Sequence, residues 1–480
     1  MRSDSFAIRN ADDAESFKGF ESEPVKPDDS IKSKNRKESE RGFFAKRMIF
    51  SIVVCFAACA GLIVSVLLKP SVRIKGHNFS IYWLPAFAGA LLLLCVVLPA
   101  KEAWAGLTAS GEMNPLKILA LFVSLTFLSV YLDELGFFRR LACLLLRRAK
   151  GSQKKLFFCL YALVSVLTVF TSNDIVVLTF TPFICCFCKE ERITPLPYLV
   201  GEFVAANTWS MMLVIGNPTN IYLASACGIE FGEYVSAMCL PTLLAGLVAL
   251  AGLWLLFSRQ LSLPVAPVLQ SAEIADGGLL AIGVAHLAVC VVCLAVSSYI
   301  HLPMWLAATA FAASLGVCTL AYAAAKKRFK GAGRLLFTSF KRAPWELVPF
   351  VLSMFLIVLS LQKYGVTEKL ASLLSGKGAL WKYGAASFFC ANVVNNIPMS
   401  VLFGGVLTAP ETSAASVYAT IVGSNLGAYL TPIGALAGIM WTGLLKTYRV
   451  DFSFRRFVVY GAALSLPALA AALFGLWLVL

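Results

Sequence analysis

LFFCLYALVSVLTVFTSNDIVVLTFTPFICCFC, residues 156–188, is apolar for far longer than one membrane crossing requires, and TSND (171–174) interrupts it near its centre. About 20 apolar residues cover a hydrocarbon core about 30 Å thick. A run that overshoots this length and gathers its polar residues at the midpoint reads as a helical hairpin with its tip at membrane depth. Three further segments carry central breaks of the same kind: GNPTN at 216–220, NVVNNIP at 392–398 and GSNLGAYLTPIG at 423–434. Backbone that leaves the helix inside a membrane must be shielded by protein or line a wet cavity, because lipid offers its N–H and C=O groups no partner.

The rest of the chain agrees. Of 480 residues 59% are hydrophobic and 14% charged, and the mean hydropathy is +0.78, which leaves too little polar surface for a soluble globule of this size. Apolar runs recur from position 48 to the last residue and predict about ten to twelve spans. The net charge of +15 lies in connecting loops and an N-terminal tail. It reads as an orientation signal and as contact with anionic lipid, not as a nucleic-acid footprint. Residues 1–46 are rich in Ser, Asp, Glu, Lys and Arg and are expected to be disordered, since they bury too little to offset ordering entropy. They lack a signal-peptide core, so the first run, 48–68, is expected to stay as a span. The fourteen cysteines fall mostly inside apolar spans, with no CxxC pair beside histidines, and read as small core residues.

The two halves resemble each other. SLTFLSVYLDELGFFRRLACLL (124–145) aligns without a gap on SMFLIVLSLQKYGVTEKLASLL (353–374), pairing Ser124 with Ser353, Leu132 with Leu361 and Gly136 with Gly365. An Asn-bearing break and then a Gly/Asn/Thr/Pro break follow each copy. Repeated halves that each hold a broken helix point to a transporter site at the repeat interface. The expected organisation is a tail at 1–46, a first membrane repeat at 47–260 and a second at 261–480. Lys326 to Arg342 reads as a cytoplasmic linker. Arg139, Arg140, Arg147, Arg148, Lys150, Lys154 and Lys155 also suit the cytoplasm, although three crossings from a cytoplasmic tail would place them outside.

Asp174 is the only acid in 156–188, and a mid-membrane carboxylate costs about 2.5 to 3.5 kcal/mol even on the lower scales. With Thr171, Ser172 and Asn173 beside it, it offers a ligand set for a cation or proton and hydrogen-bond partners for a solute. The bland alternative is a wet hairpin tip where the acid merely caps a helix. The second hairpin offers Asn392, Asn395 and Asn396 before Pro398 but no acid, so the two repeats treat charge differently unless these amides only glue helices together. In GNPTN, Asn217, Thr219 and Asn220 supply polar groups at a Gly/Pro break, and Ser424, Asn425 and Thr431, with Pro432, do so in the other half. Half-helices starting at these breaks aim their positive dipole ends at the site, which suits an anion or a polar neutral solute. A simple Gly/Pro kink is the competing reading.

Glu202, in EFVAANTW, is a second candidate for proton coupling, with a snorkelling acid as the alternative. Asp133 and Glu134 are expected to pair at the interface with Arg139 and Arg140. His286 and His301 are isolated, and the thiols Cys185, Cys186 and Cys188 in FICCFC are read as packing residues before soft-metalloid ligands. No P-loop, HExxH or GxSxG in a strand-helix context is present, so neither an ATPase nor another enzyme is expected.

The chain resembles the ArsB/NhaD-type permeases of the ion transporter superfamily, the group with the citrate-transporter-like membrane domain, and looks most like arsenite efflux permeases. YLDELGFFRRLA (131–142), SNDIVVLTFTP (172–182), GNPTNIYLASACGIEFGEY (216–234), KRAPWELVPF (341–350), NNIPMSVL (395–402) and GSNLGAYLTPIGALAGIMW (423–441) carry the likeness. The resemblance implies an all-α inverted-repeat transporter with two re-entrant hairpins and two broken helices, moving by an elevator. It also implies a cell-membrane (plasma or inner) location, no cofactor, and H+ or Na+ as coupling ion. By position, Asp174 would be the hairpin acid, Asn395 and Asn396 the second hairpin's amides, and Thr431 with Pro432 the second broken helix. GNPTN departs toward dicarboxylate and anion permeases. The expected function is secondary active transport of arsenite, antimonite or a related small solute coupled to H+ or Na+, with a Na+-coupled carboxylate or inorganic-anion permease, which the GNPTN departure favours, or a Na+/H+ antiporter as alternatives. A channel or scaffold fits less well, since it needs neither unequal hairpins nor Asp174. The expected partners are a small inorganic or carboxylate solute and membrane lipid. A homodimer and, for an arsenite pump, a cytoplasmic ATPase subunit are the protein partners considered, and no nucleic acid is expected.

Overall fold

The computed structural model describes residues 27–68, 71–74, 77–80, 83–109, 114–149, 152–262, 276–297, 300, 302–327, 329–343, 345 and 347–480. His301 and residues 1–26 of the expected disordered tail lie outside them. The chain divides into two compact units, Met1–Lys46 and Arg47–Leu480. The first helix, α1, runs from Pro27 to Leu68, so residues 27–46 are helical where the sequence suggested disorder. The physical reason is propagation: once the apolar turns form, each added residue costs little, and SIKSKNRKESER is made largely of tolerable helix formers.

The strands β1 (Ser71–Ile74) and β2 (His77–Ser80) form an antiparallel hairpin. After it come α2 (Leu84–Val96), α3 (Ala100–Leu107), α4 (Pro115–Glu134), α5 (Phe137–Ala149), α6 (Gln153–Phe170), α7 (Asn173–Glu190), α8 (Leu196–Trp209), α9 (Pro218–Ala226) and α10 (Phe231–Phe257). The second half repeats this course with α11 (Gly277–Val296), α12 (Met304–Ala325), α13 (Phe329–Arg342), α14 (Leu347–Lys363), α15 (Val366–Leu374), α16 (Ala379–Val394), α17 (Asn396–Leu407), α18 (Ala414–Gly427), α19 (Leu436–Thr447) and α20 (Phe454–Val479). The gapless alignment lands on equivalent backbone. Gly136 (φ 81°) ends α4 and Gly365 (φ 70°) ends α14 in the left-handed region, which a side chain would strain. Each glycine donates its N–H to the carbonyl three residues back, Asp133 and Gln362 respectively, at 2.9 Å.

Packing is reciprocal between the halves. Helix α4 lies on α12 while α14 lies on α2; α7 lies on α19 while α17 lies on α9. Helices α8 and α18 pack on α10 and α20, which pack on each other. Such an exchange of partners is what two similar halves related by a two-fold produce. The most extensive helix pairing among the described residues, α16 on α18, depends on GSNLG (423–427), a small-xxx-small stripe. A Cβ at Gly427 would sit 2.7 Å from the Phe388 carbonyl oxygen, and one at Gly423 would collide with Ser387 and the Gly384 backbone. Residues Arg47–Leu480 thus form one compact unit, with no gap between the expected repeats.

Eight helical stretches among the described residues are long and apolar enough to cross a membrane, and α2 and α17 are shorter apolar helices. The broken pairs α8/α9 and α18/α19 are individually too short to be counted, which accounts for the larger number expected from the sequence. The basic stretch 326–342, read as a linker, is mostly the helix α13. Its Arg342 binds both Asp133 (2.8 Å) and Glu134 of α4. Among the described residues, the cation shown to meet these acids is therefore from the other half, where local spacing suggested Arg139 and Arg140.

Candidate functional site

The first hairpin turns at Thr171 and Ser172, both extended, and the second turns at the single residue Asn395. Asn395 has φ 75° and ψ 153°, a region nearly reserved for glycine, which marks stored strain of about 1 to 3 kcal/mol. Three hydrogen bonds hold it there. Asn395 Nδ2 donates to the Ile433 carbonyl (2.9 Å) and its Oδ1 accepts from Ile397 N (3.3 Å), while Asn396 N donates to the Gly434 carbonyl (3.0 Å). Beside it, Asn392 Oδ1 accepts from Thr431 N (3.0 Å) and Thr431 Oγ1 (2.8 Å), and Asn392 Nδ2 reaches the Gly427 carbonyl (2.9 Å). The second hairpin is thereby stitched to the break between α18 and α19.

Asn425 joins the two halves. Its Oδ1 accepts from Ser210 Oγ and Asn217 Nδ2, both at 2.9 Å, and its Nδ2 donates to Asn220 Oδ1 (2.6 Å) and to the Ile421 carbonyl (2.8 Å). Ser424 Oγ donates to Thr219 Oγ1 (3.1 Å), and Thr208 Oγ1 to Tyr429 OH (3.2 Å). The first hairpin tip enters this network through Asn173 Nδ2, which donates to Asn207 Oδ1 (3.1 Å). Asn217, Thr219, Asn220, Ser424 and Asn425 are at most 1% exposed, so kinks with wet polar residues do not describe them. The broken helices of the two halves are one hydrogen-bonded unit.

Helix starts at such breaks could bind an anion through free N–H groups, and at two of the four, α9 and α17, those groups are occupied. In α9 the first position is Pro218, without an N–H; Thr219 N is capped by Asn217 Oδ1 (3.1 Å) and Asn220 N bonds the Asn217 carbonyl (3.0 Å). In α17 the Asn396 and Ile397 N–H groups are taken as described, and the third residue is Pro398. What remains open is the uncapped first turns of α7 and α19 and side-chain oxygens at the tips. Ser172 Oγ and Asn396 Oδ1 are buried without a partner, and among the described residues the half-buried Asp174 carboxylate makes no hydrogen bond or ion pair. Buried unsatisfied atoms at both hairpin tips are where water, an ion or a solute belongs.

The other candidates fall outside this unit. Glu202 is 1% exposed, so it does not snorkel. It accepts from Thr181 Oγ1 and Trp441 Nε1, each at 3.3 Å, and so ties α8 to α7 and α19. Asp133 Oδ1 also accepts from Thr179 Oγ1 of α7 (2.9 Å). Cys186 is exposed while Cys185 and Cys188 are buried, and no cluster of His, Cys, Asp or Glu able to hold a metal occurs among the described residues. His286 bonds the Ile282 carbonyl and Ser314. Asn207, Ser210 and Trp441 were not singled out from the sequence. The first two lie in a visible apolar span with uncommon polar residues, a signal that was available, whereas the Trp441 contact spans 239 residues and left none.

A family profile described as citrate transporter matches residues 79–421. The chain belongs to this family. The permease is 30% identical over 372 residues to the arsenical pump membrane protein of Escherichia coli K12, covering 74% of this chain and 84% of that protein. It is 29% identical over 378 residues to the arsenical pump membrane protein of Yersinia enterocolitica, with the same coverage. The crystal structure of the Alcanivorax borkumensis YdaH transporter shares the fold at a TM-score of 0.53 and 14% identity, covering 90% of this chain and 98% of that one. The permease is an integral, multi-pass membrane transporter of the secondary type, in the ArsB and citrate-transporter-like group of the ion transporter superfamily.

Proposed function

We propose that the permease moves arsenite or antimonite, or a closely related small neutral hydroxide, in exchange with H+ or Na+. The observation that carries this reading is the donor and acceptor balance at the hairpin tips. A carboxylate or oxyanion needs donors, and of the four helix starts at the breaks those of α9 and α17 have theirs spent on their own caps or replaced by proline, which leaves α7 and α19 alone uncapped. A trihydroxide brings its own donors and is met by the open acceptors Ser172 Oγ and Asn396 Oδ1. Asp174 is the coupling group, binding H+ or Na+ beside the solute, and Glu202 is a second proton carrier at the α7/α19 contact. The names of the relatives in two bacteria support the solute class.

The inverted arrangement of the halves, 47–260 and 261–480, and elevator motion of the hairpins belong to the same proposal, supported by the reciprocal packing. The family description favours a second reading, Na+-coupled carboxylate transport. A proteoliposome panel of arsenite, citrate, succinate and Na+/H+ exchange under imposed gradients separates them. Arsenite flux that follows an H+ or Na+ gradient is expected. Citrate or succinate flux with none for arsenite would replace this reading by the second.

A further inference from the structure

Two cavities line up with the site without belonging to it. A vestibule of about 310 Å³ lies where α4, α9, α10, α11 and α12 approach each other, and Lys117, Ser225 and Glu230 are among its lining residues. A second space, of about 20 Å³, is lined by Phe122 of α4, Val351 of α14, Tyr222 of α9 and Val401 of α17. Ile118 lines both. The small cavity also touches Pro218 and Ile397, the residues that directly follow Asn217 and Asn396. It therefore lies between the starts of two of the helices at the site and the vestibule, along the nine residues of α9, a distance of about 13 Å.

This seam is apolar except for Tyr222 and Ser400, and the Ser400 hydroxyl is spent on the Ile397 carbonyl (2.8 Å). The Tyr222 hydroxyl is buried and has no hydrogen-bond partner among the described residues. A hydroxyl without a partner in an apolar setting is costly, and the packing fixes where the ring sits: a Cβ on Gly404 of α17 would come within 2.7 Å of Tyr222 Cε1. A space of about 20 Å³ admits one water and no solute, so the seam is closed in this state.

We propose that solute enters the central site from this vestibule through the seam between α4/α14 and α9/α17, with the Tyr222 hydroxyl as the polar station that a small hydroxylated solute meets on the way. The proposal rests on the reading of the tips as the solute site. It adds the route and a binding residue to it. Passage requires α9 and α17 to move away from Ile118, Phe122 and Val351, and the hydroxyl then offers the only side-chain O–H of the seam that no protein group occupies among the described residues.

The test uses the full-length permease in liposomes with native cysteines replaced. Ser225→Cys, in the vestibule, and Val351→Cys, in the seam, are treated with a small water-soluble thiol reagent. Val317→Cys, on the outer face of α12 where Val317 is 67% exposed, serves as the lipid-facing reference. Labelling of Val351→Cys above the reference is expected, reduced about ten-fold by a prior bulky adduct at Ser225→Cys. Undiminished labelling behind that adduct, or none above the reference, overturns the route whether or not arsenite is transported. Absence of arsenite flux in the unmodified protein overturns only the solute reading. Tyr222→Phe is expected to lower the rate of solute passage about two- to ten-fold, the usual effect of one hydrogen bond, while labelling at Val351→Cys is unchanged. An unaltered rate removes Tyr222 from the route.

Discussion

The two hairpin tips share a plan and differ in how they are held. The second is strained at Asn395 and fixed by bonds from Asn392, Asn395 and Asn396 to the α18/α19 break. The first turns through two relaxed extended residues, is tied by the single amide contact of Asn173, and carries an acid with no partner among the described residues. One tip is a fixed wall that contributes an acceptor; the other holds the group whose charge can change. In an exchanger, binding of a coupling ion should be felt where the fewest bonds resist it, and that is the first tip.

The joint between the tips should be the most sensitive point. Asn425→Leu removes two donated and two accepted hydrogen bonds and takes a partner from each of Ser210, Asn217 and Asn220. A loss of about 2 to 4 kcal/mol of stability is expected, with transport abolished, read by thermal unfolding in detergent and by flux. A stable, active variant would show that the halves do not need this joint.

The strain at the second tip can be weighed directly. Asn395→Ala and Asn395→Gly lose the same side-chain bonds, but only glycine accepts φ 75° with ψ 153°. The alanine variant should unfold at lower temperature, by about 1 kcal/mol or more. Equal midpoints would mean that the tip relaxes and is not a fixed wall.

Glu202→Gln keeps a group able to accept from Thr181 and Trp441. Gradient-driven flux is expected to fall only several-fold, less than on neutralising Asp174, if Glu202 is the secondary carrier. A larger loss than at Asp174 would move the coupling group from the first tip to the α7/α19 contact. Replacing Cys185, Cys186 and Cys188 together by alanine should have the smallest effect, leaving half-saturating solute concentration within about two- to three-fold, since these thiols form no metal-holding cluster among the described residues. Selective loss of metalloid flux with intact ion exchange would instead make soft ligands part of the path.

Much of this comparison was legible in the sequence, because polar residues inside apolar runs are expensive and therefore conspicuous. The four breaks and the unequal tips were visible, and Gly136 and Gly365, which the alignment paired, both take left-handed turns. Long-range pairing was not. Arg342 meets Asp133 across 209 residues, and local spacing favoured a nearer arginine. The expectation that helix starts would favour an anion also looked sound, yet it depends on whether each N–H is free. Asn217 and Asn395 read as solute ligands, but a large part of their hydrogen-bonding capacity caps their own helices.

Gradient-driven and equilibrium exchange of arsenite by Asp174→Asn liposomes, measured side by side, is the most direct test of the division between a fixed and a charge-bearing tip. Asparagine preserves size and hydrogen bonding but removes the titratable charge. Arsenite should still equilibrate across the membrane while its accumulation against an imposed H+ or Na+ gradient disappears. Wild-type coupling in this variant would contradict the account.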